Sequence, residues 1–195
     1  MAAPSRAEAT RARLRDAAVA AFAEKGFHAT TTRDIAAAAG MSPAAMYVHH
    51  RSKQELLLVI SREGHQAALD VVRSARAASA DPRTQLTAVA RAFALFHVDH
   101  HTVARILNYE LAALSPEHRA EIDELRTGID RELRALVSEG VAAGVFDVPD
   151  PALAATALAS MGIDIARWYR EDGEWTPEQI GDYYADLALR LAGAA

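Results

Sequence analysis

The chain has 195 residues, 51% of them hydrophobic, which is enough for one medium core or two small ones. It has no cysteine, which excludes disulfides, thiol catalysis and Cys-ligated zinc. The net charge of −5 excludes a uniformly basic nucleic-acid binder, yet residues 1–55 hold 8 Lys/Arg against 5 Asp/Glu, while residues 56–195 hold 13 against 21. A basic head on an acidic body suits a protein that meets a polyanion at one end.

The opening stretch MAAPSRAEATRAR carries no apolar signal segment, and no apolar run approaches membrane-spanning length. A cytoplasmic protein with no membrane contact is expected. Five of the seven prolines follow a good capping residue: Ser42-Pro43, Asp81-Pro82, Ser115-Pro116, Asp150-Pro151 and Thr176-Pro177. Each reads as a helix start. No strand-like alternation competes, so the expected fold is all-α with about nine helices.

The first helix is expected from about Ser5 to Lys25, with Leu14, Ala18, Ala21 and Phe22 inward and Gly26 as its stop. Arg6, Arg11 and Arg13 lie near its start, as phosphate ligands or as a solvated face. Thr31 then caps a short helix, with Asp34 in a T-x-x-D arrangement and Gly40 at its end. Ser42 caps a third helix, Pro43 takes its first position, and Ala44 and Ala45 form a thin tip. Two short helices joined by a Gly turn, the second with a small-residue tip, suit a helix-turn-helix. Small side chains let the backbone approach base edges in the major groove.

Ser52-Lys53-Gln54-Glu55 reads as a capping box opening a fourth helix that continues to about Ala78 through Leu56, Ile60, Gly64, Ala67 and Val71. The fifth helix is expected from Pro82 to about Asp99 and the sixth from Thr102 to about Leu114. The seventh should run from Pro116 to about Ala143, the eighth from Pro151 to about Arg170. The ninth opens at Thr176-Pro177-Glu178-Gln179, a further capping box.

The segment GFHATTTRDIAAAAGMSPAAMYVHHRSKQELL resembles the N-terminal signature of the TetR family of transcriptional regulators. Its Gly-aromatic, T-T-x-R-D-I-A, A-G-M-S, M-Y and S-K-x-E-L elements stand in order, over roughly residues 10 to 58. One departure is His50, where most members carry an inward-packing Phe or Val. The spacing of ELAALSPEHRAEIDELR, EGVAAGVFDVPDP and RWYREDGEWTPEQ resembles the effector domain of a branch of that family. Some members of that branch answer to acyl-CoA thioesters or related lipid intermediates.

The resemblance implies a three-helix DNA-binding domain over residues 1–52 and an effector-binding and dimerisation domain over residues 53–195. It implies a homodimer on a palindromic double-stranded operator, and the apolar residues of the body predict release by a small, mainly apolar molecule carrying a hydroxyl, amine or amide, with a lipid-like compound or an acyl-CoA among the candidates that the resemblance adds. The alternative with the same fold is an activator. The rivals from other classes are a helical metal-dependent hydrolase and a helical adaptor. No catalytic residue, metal or cofactor is expected.

For DNA, Pro43, Ala44 and Ala45 are expected at base edges, where thymine methyls offer apolar contact. Ser42 belongs to the same tip. Tyr47 and His49 match family positions that usually hold phosphates. Lys53, at a helix start, is expected on a phosphate. Thr31 and Thr32 offer hydroxyls to the DNA backbone, or Thr31 only caps its helix; Arg33 projects toward a base or a phosphate.

For a ligand, the expected residues are His97, Leu107, Glu110, Met161, Asp164 and Trp168. His97, Glu110 and Asp164 interrupt apolar faces and are expected either to converge on one cavity or to be satisfied internally, as by Arg105 or Arg167. His97 and His101 have an i,i+4 spacing that can hold zinc on a helix, but no HExxH motif is present and Asp99 faces elsewhere. For the dimer, Ala155, Ala159, Gly162, Ile180, Tyr184, Leu187 and Leu191 are expected on a four-helix interface.

Overall fold

The structure is a computed structural model that describes residues 5–194. Among the described residues there are nine α-helices and no strand. They are α1 (Arg6–Ala29), α2 (Thr32–Ala38), α3 (Pro43–His49), α4 (Lys53–Ala77), α5 (Pro82–Asp99), α6 (His101–Glu110), α7 (Pro116–Ala142), α8 (Pro151–Trp168) and α9 (Pro177–Leu191). The expected starts at Ser5, Thr31, Asp81, Asp150 and Thr176 hold because each is chemically capped. Ser5, Thr31 and Thr176 close reciprocal boxes with Glu8, Asp34 and Gln179, and Asp81 and Asp150 cap α5 and α8.

Two expectations differ in detail. Gly26 does break the helical geometry of α1, with φ 76° and ψ 159°, but a further helical turn follows it to Ala29. The sixth helix ends at Glu110 rather than near Leu114, and Leu111–Ala113 tighten into a 3-10 turn. Leu114 is extended (φ −75°, ψ 149°). Ser115, the residue before Pro116, caps α7 through a 3.3 Å bond from the His118 amide.

The chain forms two compact units. The first comprises residues up to Gly64 together with Arg105–Ile122. Its buried side chains include Leu14, Ala18, Phe22, Phe27, Ile35, Ala36, Met46, Leu56, Leu57 and Ile106. Phe22 and Phe27 pack at a tilt with ring centroids 5.2 Å apart. Arg62 and Glu121 form an ion pair in this unit, as do Arg15 and Glu63 at 3.0 Å.

The second unit comprises His65–Ala104 and the chain from Asp123 onward. Here α5 packs chiefly against α9 and then α8. One core cluster gathers Leu69, Val72, Leu86, Val89, Phe93, Leu133, Leu136, Phe146, Ala155 and Leu158, and a second gathers Ala94, Val98, Ile165, Tyr169 and Ile180. Arg76 bridges Glu132 at 2.9 Å and also pairs with Glu139, tying the end of α4 to α7. No helix among the described residues is long and apolar enough to cross a membrane.

Candidate nucleic-acid interface and interior cleft

The first unit exposes α2 and α3, and their caps determine which polar groups remain available. The Thr31 hydroxyl accepts the Asp34 amide at 3.1 Å and donates to Asp34 Oδ2 at 2.7 Å. Its one proton is therefore committed within the cap. These bonds, with Lys25 at 3.2 Å, hold the Asp34 carboxyl down to about 2. Thr32 differs, because its hydroxyl meets the Tyr47 hydroxyl at 3.1 Å, a link from α2 to α3. One of those two protons fills the contact and the other remains to be donated outward.

Gly40 turns the chain at φ +66°, and Ser42 Oγ then accepts the Ala45 amide at 3.2 Å. Pro43 and Ala44 are exposed, Ala45 is half-buried, and Met46 is fully buried as the anchor of α3. Tyr47 and Arg33 are exposed, and His49 is half-buried. Val48, which the residue pattern did not single out, is 80% exposed. Its signal was its spacing, one turn beyond Ala44 on the same helix face.

Lys53 is corrected. Its ammonium donates to the carbonyl oxygens of Phe27, His28 and Thr30 at 2.7, 3.0 and 2.8 Å, and lies 4.5 Å from the Phe27 ring centroid. An ammonium has three N–H donors, so all are used inside the protein. The reason is proximity: α1 ends with unsatisfied carbonyls, and the start of α4 places a cation beside them. The expected box at Ser52 is also half formed. Ser52 Oγ accepts the Glu55 amide at 3.1 Å, but the Glu55 carboxylate accepts from the Arg51 amide at 2.6 Å.

His50 packs inward, as the resemblance implies for its position. Its ring is buried and neither nitrogen has a hydrogen-bond partner among the described residues. Glu55 Oε1 is 3.9 Å from Nδ1. Burial holds the imidazole below its ordinary pKa, outweighing that carboxylate, which pulls the other way.

The residues expected to converge on a ligand do not do so. Glu110 belongs to the first unit, where its carboxylate accepts the Phe27 amide at 3.3 Å. Leu107 is buried in that same unit. Asp164 is exposed and holds Arg167 through 2.7 and 2.9 Å bonds, which depress its pKa. The buried face of α8 is Ala155, Leu158, Gly162, Ile165 and Ala166. At 3.6 residues per turn Asp164 lies about 200° round the helix from Gly162, hence in solvent. Asp164 does pair with Arg167, but the pair lies on the surface of α8 and not in its interior.

His97 is buried beside Phe93, with ring centroids 4.4 Å apart, and its Nδ1 faces the Phe93 carbonyl at 2.9 Å. Desolvation is the main cause of its pKa falling to about 4. His100 and His101 likewise turn Nδ1 to carbonyls of their own segment, those of Phe96 and Val98, at 3.0 and 2.9 Å.

The second unit does contain a cleft. It is lined by Leu86, Val89, Ala90, Phe93, Leu133, Leu158, Met161, Gly162, Tyr184 and Ala188. Of the expected ligand residues only Met161 lines it. The Tyr184 hydroxyl is the sole side-chain polar group in that lining, and burial raises its pKa. Tyr184 was expected at a dimer surface, yet it half-faces this cleft. Gly162 is corrected too: a Cβ there would stand 2.5 Å from Phe93 Cδ1, so it serves intrachain packing. Ala155 and Ile180 are buried in their own unit as well, while Ala159, Leu187 and Leu191 are half-buried. The exposed apolar side chains of α8 and α9 are Leu153 and Tyr183.

Residues 14–60 match the family described as "Bacterial regulatory proteins, tetR family", and residues 79–192 match "Tetracyclin repressor-like, C-terminal domain". The chain is 30% identical to the HTH-type transcriptional repressor KstR2 of Rhodococcus jostii (strain RHA1), over 92% of this chain and 89% of that protein. A TetR-family regulatory protein from Rhodococcus RHA1 superposes with a TM-score of 0.91 at 39% identity, covering 98% of this chain and all of that one. AibR, solved in complex with isovaleryl coenzyme A and operator DNA, superposes with a TM-score of 0.84 at 27% identity, covering 95% of this chain and all of that one. With a capped helix-turn-helix at its head and both family domains in order, the chain belongs to the TetR family and is a DNA-binding transcriptional regulator.

Proposed function

We propose that this regulator is a cytoplasmic homodimeric repressor that binds a palindromic operator and leaves it when a small molecule occupies the cleft of the second unit. The observation that carries the DNA reading is the outward face of α3, where Pro43 and Ala44 stand exposed beside Tyr47. Tyr47, Thr32, Ser42 and Arg33 supply the donors to phosphates or bases, with His49 beside them. Residues 1–52 form the DNA-binding domain, and residues 53–195 bind the effector and dimerise. The chain performs no catalysis and needs no cofactor.

The effector is mainly apolar, because Tyr184 is the only polar side chain in the cleft lining. That AibR was solved in complex with isovaleryl coenzyme A supports an acyl-CoA as the effector here, and the apolar cleft of this chain suits its acyl part. Outward residues of α8 and α9, Leu153 and Tyr183 among them, meet their counterparts in the second subunit. Coupling runs through α4, one continuous helix from Lys53 to Ala77. An effector must favour the DNA-incompetent state by about 1.4 kcal/mol for each tenfold loss of operator affinity.

The test has two arms. Selection from a random duplex pool should enrich a palindrome, with affinity falling steeply as salt rises. Mass spectrometry of small molecules carried by the native protein should identify an apolar compound that lowers affinity for that palindrome. A pool without enrichment sinks the DNA reading. A carried compound that raises operator affinity overturns release by the effector and makes it a ligand that drives DNA binding.

A further inference from the structure

Val48 is the most exposed large hydrophobic residue among those described, at 80%, against 67% for Leu153 and 51% for its neighbour Tyr47. It is β-branched and sits in a seven-residue helix whose inward side is held by Met46. The face it occupies is unusual in its chemistry. Ala44 precedes it by four residues and Ala45 by three, so the three side chains adjoin on one surface of α3. None of them, nor Pro43, carries a donor or an acceptor.

The polar groups nearby are largely committed. Ser42 Oγ accepts the Ala45 amide, Thr31 is closed on Asp34, Tyr47 is joined to Thr32, and Lys53 is bound to the carbonyls that end α1. On this face α3 therefore offers methyl and methylene groups to whatever lies opposite. Among the groups displayed in a major groove, the thymine C5-methyl is the apolar one. Phosphates gain nothing from such a face, and cytosine, guanine and adenine edges would lose hydrogen bonds to water without replacement.

We propose that Val48 is a specificity-determining residue, which with Ala44 reads a thymine methyl in each operator half-site. This rests on the DNA reading above. Sequence preference at that step arises from methyl burial, while hydrogen-bonded base readout falls to Arg33 or to the protons left on Ser42 and the Thr32–Tyr47 pair. Such a contact is worth about a factor of four per methyl group buried.

The test uses the full-length protein and the duplex it enriches from a random pool. Each thymine is replaced in turn by deoxyuridine, which removes only the methyl group. Wild-type affinity should fall about fourfold at one thymine per half-site. In Val48→Ala, which removes the contact in both half-sites, the thymine duplex should bind about sixteenfold more weakly, and the deoxyuridine penalty at that position should nearly vanish. Val48→Asn, reselected on the random pool, should replace that thymine by another base. The melting temperature of each variant should match wild type, since the side chain is exposed. An enriched duplex with no methyl-sensitive thymine, or with the same penalty in Val48→Ala, overturns the proposal while the DNA reading stands. A pool that enriches nothing overturns both.

Discussion

Lys53 and Phe27 hold each other in two ways: the ammonium lies 4.5 Å from the ring centroid and donates a 2.7 Å bond to the carbonyl of that same residue. Two further carbonyls, those of His28 and Thr30, complete the cation's contacts. The start of α4 thus closes the end of α1, immediately before the cap of α2. Lys53→Ala leaves three carbonyls without their charged donor. It should lower unfolding free energy by about 2–3 kcal/mol, read by urea denaturation. The slope of log affinity against log salt should stay at its wild-type value. Loss of a phosphate contact would instead reduce it by about 0.9 per subunit.

Gly162 gives Phe93 its place in the cleft wall. A Cβ at 162 would meet Phe93 Cδ1 at 2.5 Å and Cε1 at 2.8 Å. Gly162→Ala gains helix propensity but overpacks a filled site, and should cost about 1–3 kcal/mol. Adding Phe93→Leu removes the clash and should recover most of that loss. A double-mutant cycle on denaturation midpoints measures the coupling. Strictly additive effects would show that ring and glycine do not share the space.

His97 makes the second unit sensitive to acid. Its pKa is about 4 in the folded chain, chiefly through desolvation, with His100 and His65 adding to the depression, against about 6.5 for an exposed histidine. The unfolded chain therefore takes up the proton first. Stability is fully present above pH 6.5 and is lost as pH falls from there toward 4, by about 3 kcal/mol at the limit. Carboxylates titrate in part of the same range, so the readout is a difference between proteins. Unfolding free energies at pH 7 and pH 4.5 should converge for His97→Leu relative to wild type by about 2–3 kcal/mol. Parallel pH profiles would place the ring in contact with water.

Leu153 and Tyr183 are the probes for assembly, at 67% and 64% exposure on α8 and α9. Leu191 packs against the core of its own unit, so a charge there would test folding instead. The double variant Leu153→Asp, Tyr183→Asp should keep wild-type helicity and sediment as a monomer at micromolar concentration. A dimer that survives both substitutions uses another surface.

Local chemistry made the helices and the head legible in the residues alone. Ser5, Thr31, Ser42, Asp81, Asp150 and Thr176 each bond a backbone amide two or three positions ahead, so cap and helix start are written within a few residues of each other. The T-T-x-R-D-I-A and A-G-M-S runs are local in the same sense, and they carried the family with them. The side-chain roles that failed depend on partners far along the chain. Lys53 meets carbonyls 23 to 26 residues away, and Glu110 meets the Phe27 amide 83 residues away. Asp164 sits on a stripe that periodicity alone could assign inward, and only the packing of α8 on α5 chose the neighbouring stripe. Sequence determined where helices begin, how the head turns and which end is basic, because those follow from bonds and charges between near neighbours. Tertiary structure alone decided which polar groups remain free to meet DNA, that Val48 stands open, and that Tyr184 rather than Glu110 or Asp164 faces the cleft. Burial and long-range hydrogen bonds exist only once distant helices have packed.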